Sequence, residues 1–253
     1  MTALVRAELL KLRSTRLSLV LLLATLGMVA LTIAVSVPQE DARDVPLKLD
    51  DPRLLAVVVG ESLGVPQVVV VLLGVLAATQ EHRYGTVTST FLVEPRRARV
   101  LVAKCLSSII GSLAVAVASL AFSVVVTIGL IRSRGGDVTV GTLLWQVLGA
   151  GLLVLALYGV MGVAVGALVR NQVVAVVAVL VWMLVVEYLL VPALPSVGRW
   201  LPLGATFALL QIGLTLDLSG SLLAAPVAAL VLTGYAVAAA ALALVVAPRR
   251  DVV

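Results

Sequence analysis

Six runs of apolar residues, each long enough to cross a lipid bilayer as a helix and carrying at most one charge, recur along this chain and constrain it more than any other feature. They fall at 17–37, about 62–78, 105–131, 142–169, 173–191 and 222–247. A helix needs about 20 apolar residues to cross the hydrocarbon core, whereas a barrel strand needs only about ten. The runs therefore read as membrane-spanning helices. With 12% charged residues against about 25% in a soluble domain, and a mean hydropathy of +1.20, the chain has too little polar surface to cover a water-soluble globule. The expectation is an all-α membrane protein with one transmembrane domain over 1–253.

The second run is the least regular. Its apolar residues begin at Leu54, but Glu61 interrupts them and Pro66 is placed to kink a helix, so 54–61 is expected at the outer interface. The first run follows a basic stretch, Arg6 to Arg16, and ends in small residues, as a secretory leader does. Its apolar core exceeds the 7 to 15 residues usual for a leader, and five more runs follow, so it reads as a retained span.

Counting Lys and Arg between the spans sets the orientation. Twelve of the 18 lie in the amino-terminal stretch, the 79–104 loop, the Arg170 turn and the carboxyl tail, and six in the alternate segments. Both termini are therefore expected in the cytoplasm. Acidic residues show the opposite bias, four against nine.

The loop between the second and third spans, QEHRYGTVTSTFLVEPRRARVLVAK from Gln80 to Lys104, holds seven charges and the single histidine. Tyr84, Val87, Phe91 and Leu92 recur at helical spacing, with Arg83, Thr86, Ser89 and Thr90 elsewhere around the turn, which predicts a short amphipathic helix. Pro95 ends it, and Arg96, Arg97, Arg99 and Lys104 lead into the third span. Basic residues beside a span also serve orientation and anionic headgroups, at about 1 kcal/mol each. That explains the cluster without a partner, but not the amphipathic helix or Gly85.

Three stretches carry a family resemblance: RAELLKLRSTR before the first span, EHRYGTVTSTFLVEPRRARVLVAK in the loop, and WMLVVEYLLVPALPSVGRWLP at the end of the fifth span. In this order the chain resembles the permease subunits of type-2 ATP-binding cassette (ABC) transporters, six-span exporter subunits that carry no ATPase, in a pattern common among actinobacterial members. The resemblance implies an amino-terminal interface helix, in which Leu4, Val5, Leu9 and Leu12 give an apolar side that Glu8 interrupts. It implies a cytoplasmic coupling helix between spans two and three, docking on an ATPase. Glu81, Arg83, Gly85 and Thr86 match that loop's motif, Val87 and Phe91 lie on its apolar side, and Pro95, Arg96, Arg97 and Lys104 match its return. It also implies two ATPase subunits carrying ATP and magnesium, a second permease copy (identical or not), a bacterial plasma membrane location, and export as the direction of transport.

Between spans five and six, 194–221 is apolar but broken by Pro195, Gly198, Pro202, Gly204 and Gly213, too interrupted to cross, and reads as a re-entrant or interfacial external segment. Glu187 is the one carboxylate well inside a clear span. It is a candidate for substrate gating or a dimer seam, together with Trp182 and Arg199; alternatively it reaches the outer interface or pairs with Arg199. Trp182, Tyr188 and Trp200 also suit interfacial anchoring. In the fourth span Gly159, Gly162 and Gly166 permit close helix packing, within the chain in preference to across a dimer.

Enzyme chemistry finds no support. His82 reads as an exposed loop residue, one cysteine (Cys105) allows no intrachain disulfide or thiolate metal cluster, and no G-x-x-x-x-G-K-S/T phosphate loop is present. No cofactor is expected on this chain, and no nucleic-acid motif is present. The residues alone leave two competing classes open: a non-transporting membrane scaffold, immunity or sensor protein, and an ion-coupled secondary transporter, which would need more intramembrane ionisable groups than Glu187 and Glu61. A lining of Ser18, Thr25, Thr32, Trp182 and Gln211 among aliphatic residues distinguishes no substrate.

Overall fold

The computed structural model describes residues 1–14, 16–38, 47–85, 92, 94–169, 171–212 and 222–247. Its helices are α1 (Thr2–Ser14), α2 (Arg16–Ser36), α3 (Leu54–Glu61), α4 (Gly64–Arg83), α5 (Arg97–Ser133), α6 (Thr142–Val169), α7 (Gln172–Val181), a π-helical turn (Trp182–Glu187), α8 (Tyr188–Ala193), α9 (Pro195–Gly198), α10 (Pro202–Leu209) and α11 (Ala225–Val246). No strand occurs among the described residues. Six stretches are long and apolar enough to cross a membrane: Ser18–Ser36, Leu54–Glu81, Arg97–Ser133, Thr142–Val169, Gln172–Ala193 and Ala225–Val246. The all-α, six-span architecture expected from the sequence is the one observed.

The second span departs from the reading. Leu54 to Gly60 form a helix that is buried at every position, where an interfacial segment was expected. The physical reason is that this stretch has apolar residues on all sides and is enclosed by α2, α5 and α6. Its approach to α10 is so close that a Cβ on Gly60 would overlap the Leu210 carbonyl. The break falls at Ser62 and Leu63, one turn ahead of Pro66, which lacks the N–H that would bond the Ser62 carbonyl and so stands in the first turn of α4. The Ser62 hydroxyl pairs with that of Ser123 at 2.7 Å, holding the break against α5.

α6 is the central element, packed on α4, α5 and α11. Its contact with α4 runs through glycines on both sides. A Cβ on Gly74 would come within 2.5 Å of the Gly159 carbonyl, one on Gly166 within 2.7 Å of the Val75 carbonyl, and one on Gly162 would overlap the Val71 carbonyl. The small residues of the fourth span therefore serve packing within the chain.

α5, with 37 residues, is ~55 Å long at 1.5 Å per residue, well beyond a hydrocarbon core of about 30 Å. It starts eight residues before the apolar run does, so Arg97 to Lys104 continue the helix past one face of the bundle. Ala78, Leu101, Val163, Ala164, Ala167 and Ala243 form one cluster, which brings the ends of α4, α6 and α11 and the start of α5 together at that face, beside α1. At the opposite face the Arg134 guanidinium donates to the carbonyls of Val37 and of Pro38, the latter at 3.2 Å, and closes the carboxyl end of α2.

Candidate functional site

The face where α1 meets α4 and α5 carries four interlocked charges. Glu8 projects from α1 and is 7% exposed. The Lys104 ammonium, on α5, lies 3.0 Å from Glu8 Oε2 and 3.1 Å from Glu81 Oε1 at the end of α4. It also donates to the Ala77 carbonyl at 2.9 Å. Lys11 reaches the same two carboxylates, at 2.6 Å to Glu8 and 2.7 Å to Glu81. Among the described residues, two cations and two anions balance here, with Glu8, Glu81 and Lys104 buried, the condition under which buried charge is tolerated.

The Glu8 that interrupts the apolar side of α1 is thus the residue that attaches the helix. Lys104, grouped with the headgroup-facing basic residues in the sequence, faces inward and is 6% exposed. Its ammonium has two carboxylates and a carbonyl within reach, a stronger set of partners than lipid phosphates at the surface. Lys11 is half exposed. Burial pulls its pKa down, but the hydrogen bonds and charges of Glu8 and Glu81 outweigh this, and the pKa stands above the ordinary lysine value.

The chain leaves α4 just beyond this cluster. Tyr84 closes the helix with its N–H on the Gln80 carbonyl at 2.9 Å, and Gly85 takes φ +68°, the left-handed conformation that ends helices and that glycine adopts without strain. Tyr84 therefore belongs to the end of the second span instead of opening the loop helix, and His82 lies in the last turn of α4. Arg83 is exposed, donates to the Gln172 side chain at 3.3 Å and lies 5.7 Å from the Tyr84 ring. Thr86, Val87 and Phe91, and with them the predicted coupling helix, lie outside the described residues. On the return, Pro95 and Arg96 are exposed, Glu94 accepts from the Arg96 N–H at 3.2 Å and lies 3.8 Å from Arg99, and Arg97 opens α5.

The second group of predicted residues lies at the other face. Glu187 is 1% exposed and ends the π-helical turn. Its carboxylate accepts from the Trp182 indole N–H at 2.7 Å and from the Leu203 backbone N–H at 3.1 Å. Leu203 stands in the first turn of α10, whose free amides favour an anion. Glu187 therefore ties the fifth span to α10 and forms no ion pair with Arg199, which lies 5.9 Å from the Trp200 ring. Geometry joins Glu187 and Trp182 and leaves Arg199 apart. Sequence reasoning missed two features. One is the bond to Leu203, because a backbone donor leaves no trace in residue type. The other is the Glu8 cluster, whose signal was an acidic residue on an apolar face with oppositely charged residues near two span ends.

A family model described as an ABC-2 family transporter protein matches residues 4–187, from α1 through Glu187. No curated protein matches the chain.

Proposed function

The chain belongs to this ABC-2 transporter family and is a permease component of an ABC transporter, and from that premise we propose that it is the membrane subunit of an ATP-driven exporter. It works as a dimer with a second permease copy, above two cytoplasmic ATPase subunits that bind ATP and magnesium. It lies in a bacterial plasma membrane with both termini in the cytoplasm, an orientation supported by the twelve-to-six distribution of Lys and Arg.

One observation carries the reading: the ion cluster of Glu8, Lys11, Glu81 and Lys104. It binds α1 and both flanks of the 84–96 loop into one body, so that a force on the loop reaches the second and third spans together. Residues 84–94 then act as the docking lever, with the exposed Arg83 and Arg96 and the half-buried Arg97 as its charged rim. ATP-driven closure of the ATPases moves this lever and opens the path to the outside.

The test is co-purification. The chain, tagged at its carboxyl terminus and extracted in mild detergent from cells expressing a neighbouring ATPase, should bring down ATPase activity, which is lost when 84–94 is scrambled. A chain that purifies alone under those conditions would overturn the coupling and return the loop to lipid anchoring.

A further inference from the structure

A cavity of about 600 Å³ lies between α2, the broken second span, the fifth span and α10, a size that suits a drug-sized ligand. Its walls are apolar or aromatic except for Thr32, Glu61, Gln67 and the Tyr188 hydroxyl. Among the described residues Glu61 supplies the only charge in the lining. It is half-buried, and among the described residues no Lys or Arg forms an ion pair with it. The other span carboxylates differ: Glu81 is held by lysines and Glu187 by an indole and a backbone amide.

Two further features point the same way. Glu61 stands at the carboxyl end of α3, where the span breaks, so the negative end of the helix dipole adds to its charge and favours a cation. Breaks of this kind beside a cavity are where transporter folds hold charged groups. On the opposite wall the Tyr188 and Phe207 rings meet edge to face, centroids 5.9 Å apart, and offer apolar surface together with cation–π attraction.

We propose that this cavity binds amphipathic organic cations. Glu61 is the counter-charge, and Tyr188 and Phe207 take its apolar body. Membership of the cargo class rests on the exporter reading; binding itself does not.

The test uses two ions of the same shape and opposite charge, tetraphenylphosphonium and tetraphenylborate, on the purified chain in phosphatidylcholine nanodiscs, with empty discs subtracted. Wild-type chain should bind the cation saturably and prefer it to the anion, and Glu61→Gln should weaken cation binding by at least about tenfold, as removal of one partner of a desolvated charge pair does. Glu61→Asp should restore most of it, and Phe207→Ala should weaken it without changing the charge preference. Equal cation binding by wild type and Glu61→Gln would overturn the proposal. So would equal affinity of wild type for the two ions, a comparison that stands even where the variants fold poorly. Because the readout is on the isolated chain, its failure leaves the ATPase co-purification to judge the exporter reading separately.

Discussion

Lys104 and Lys11 touch the same two carboxylates but differ in exposure, and that difference decides what each contributes. Lys104 is desolvated, so Lys104→Ala leaves Glu8 and Glu81 buried with half their compensation, a loss that costs about 3–5 kcal/mol in comparable sites. Lys11 is half exposed and solvent replaces much of what its removal takes away, so Lys11→Ala should cost under about 1 kcal/mol. Thermal unfolding of the two variants in one detergent checks the contrast, and similar losses would show that burial does not govern the cluster. The sign of the pH dependence follows from the raised Lys11 pKa. Its contribution is complete below the ordinary value of 10.5 and is lost only as pH rises through the higher folded-state value. Stability attributable to Lys11 should therefore not change between about pH 6 and pH 9. None of the pairing was legible from residue types, because Glu8, Glu81 and Lys104 come from three segments joined only by folding. The sequence did place an unexplained acid on the apolar side of α1, and a misfit of this kind is where tertiary contacts override local pattern.

Elements were far more legible than contacts, for a local reason: a run of about 20 apolar residues needs no partner to declare itself a span. The exception, α3, is short, ends in a carboxylate ahead of a proline, and owes its helix to enclosure by its neighbours. The contact between α4 and α6 gives a direct prediction at this scale. Gly162→Ala forces a Cβ into the Val71 carbonyl, and helix backbones cannot yield as a flexible side chain does, so it should separate the two helices and sharply reduce recovery of folded protein. Gly149→Ala, in the same helix with open space around it, should be neutral or stabilise by up to about 1 kcal/mol through helix propensity. Size-exclusion profiles of the two alanine variants decide it, and a well-folded Gly162→Ala would mean that the helices do not approach so closely. The tether at the other face is equally specific. Glu187→Ala removes the acceptor of the Leu203 amide, so hydrogen exchange in the first turn of α10 should rise by about tenfold or more, the equivalent of about 1.4 kcal/mol of local stability. Unchanged exchange there would mean that burial of α10, and not Glu187, holds its start.

At the scale of the whole molecule, the chain separates into two polar faces joined by an apolar bundle. One face binds α1 to the ends of the second and third spans, and the other binds the fifth span to α10. α4 ends in the first face, begins at the cavity beside Glu61 and packs along α6 for its length, so a displacement at the ion cluster reaches the cavity through one rigid helix without any soluble domain. This makes the cluster's geometry, and not its individual charges, the quantity that coupling depends on. Glu8→Lys alone puts three cations against Glu81 and should detach α1, abolishing the stimulation of ATPase activity in the reconstituted complex. Lys104→Glu alone, with three anions against Lys11, should do the same. The double exchange restores two cations and two anions with the Glu8–Lys104 pair reversed, and should recover at least about half of the stimulation, with the partners' shared interaction appearing as a non-additive term of the kind seen for residues in one network. Stimulation that survives either single exchange would place the transmission of force in the loop alone and leave α1 as a bystander on the membrane surface.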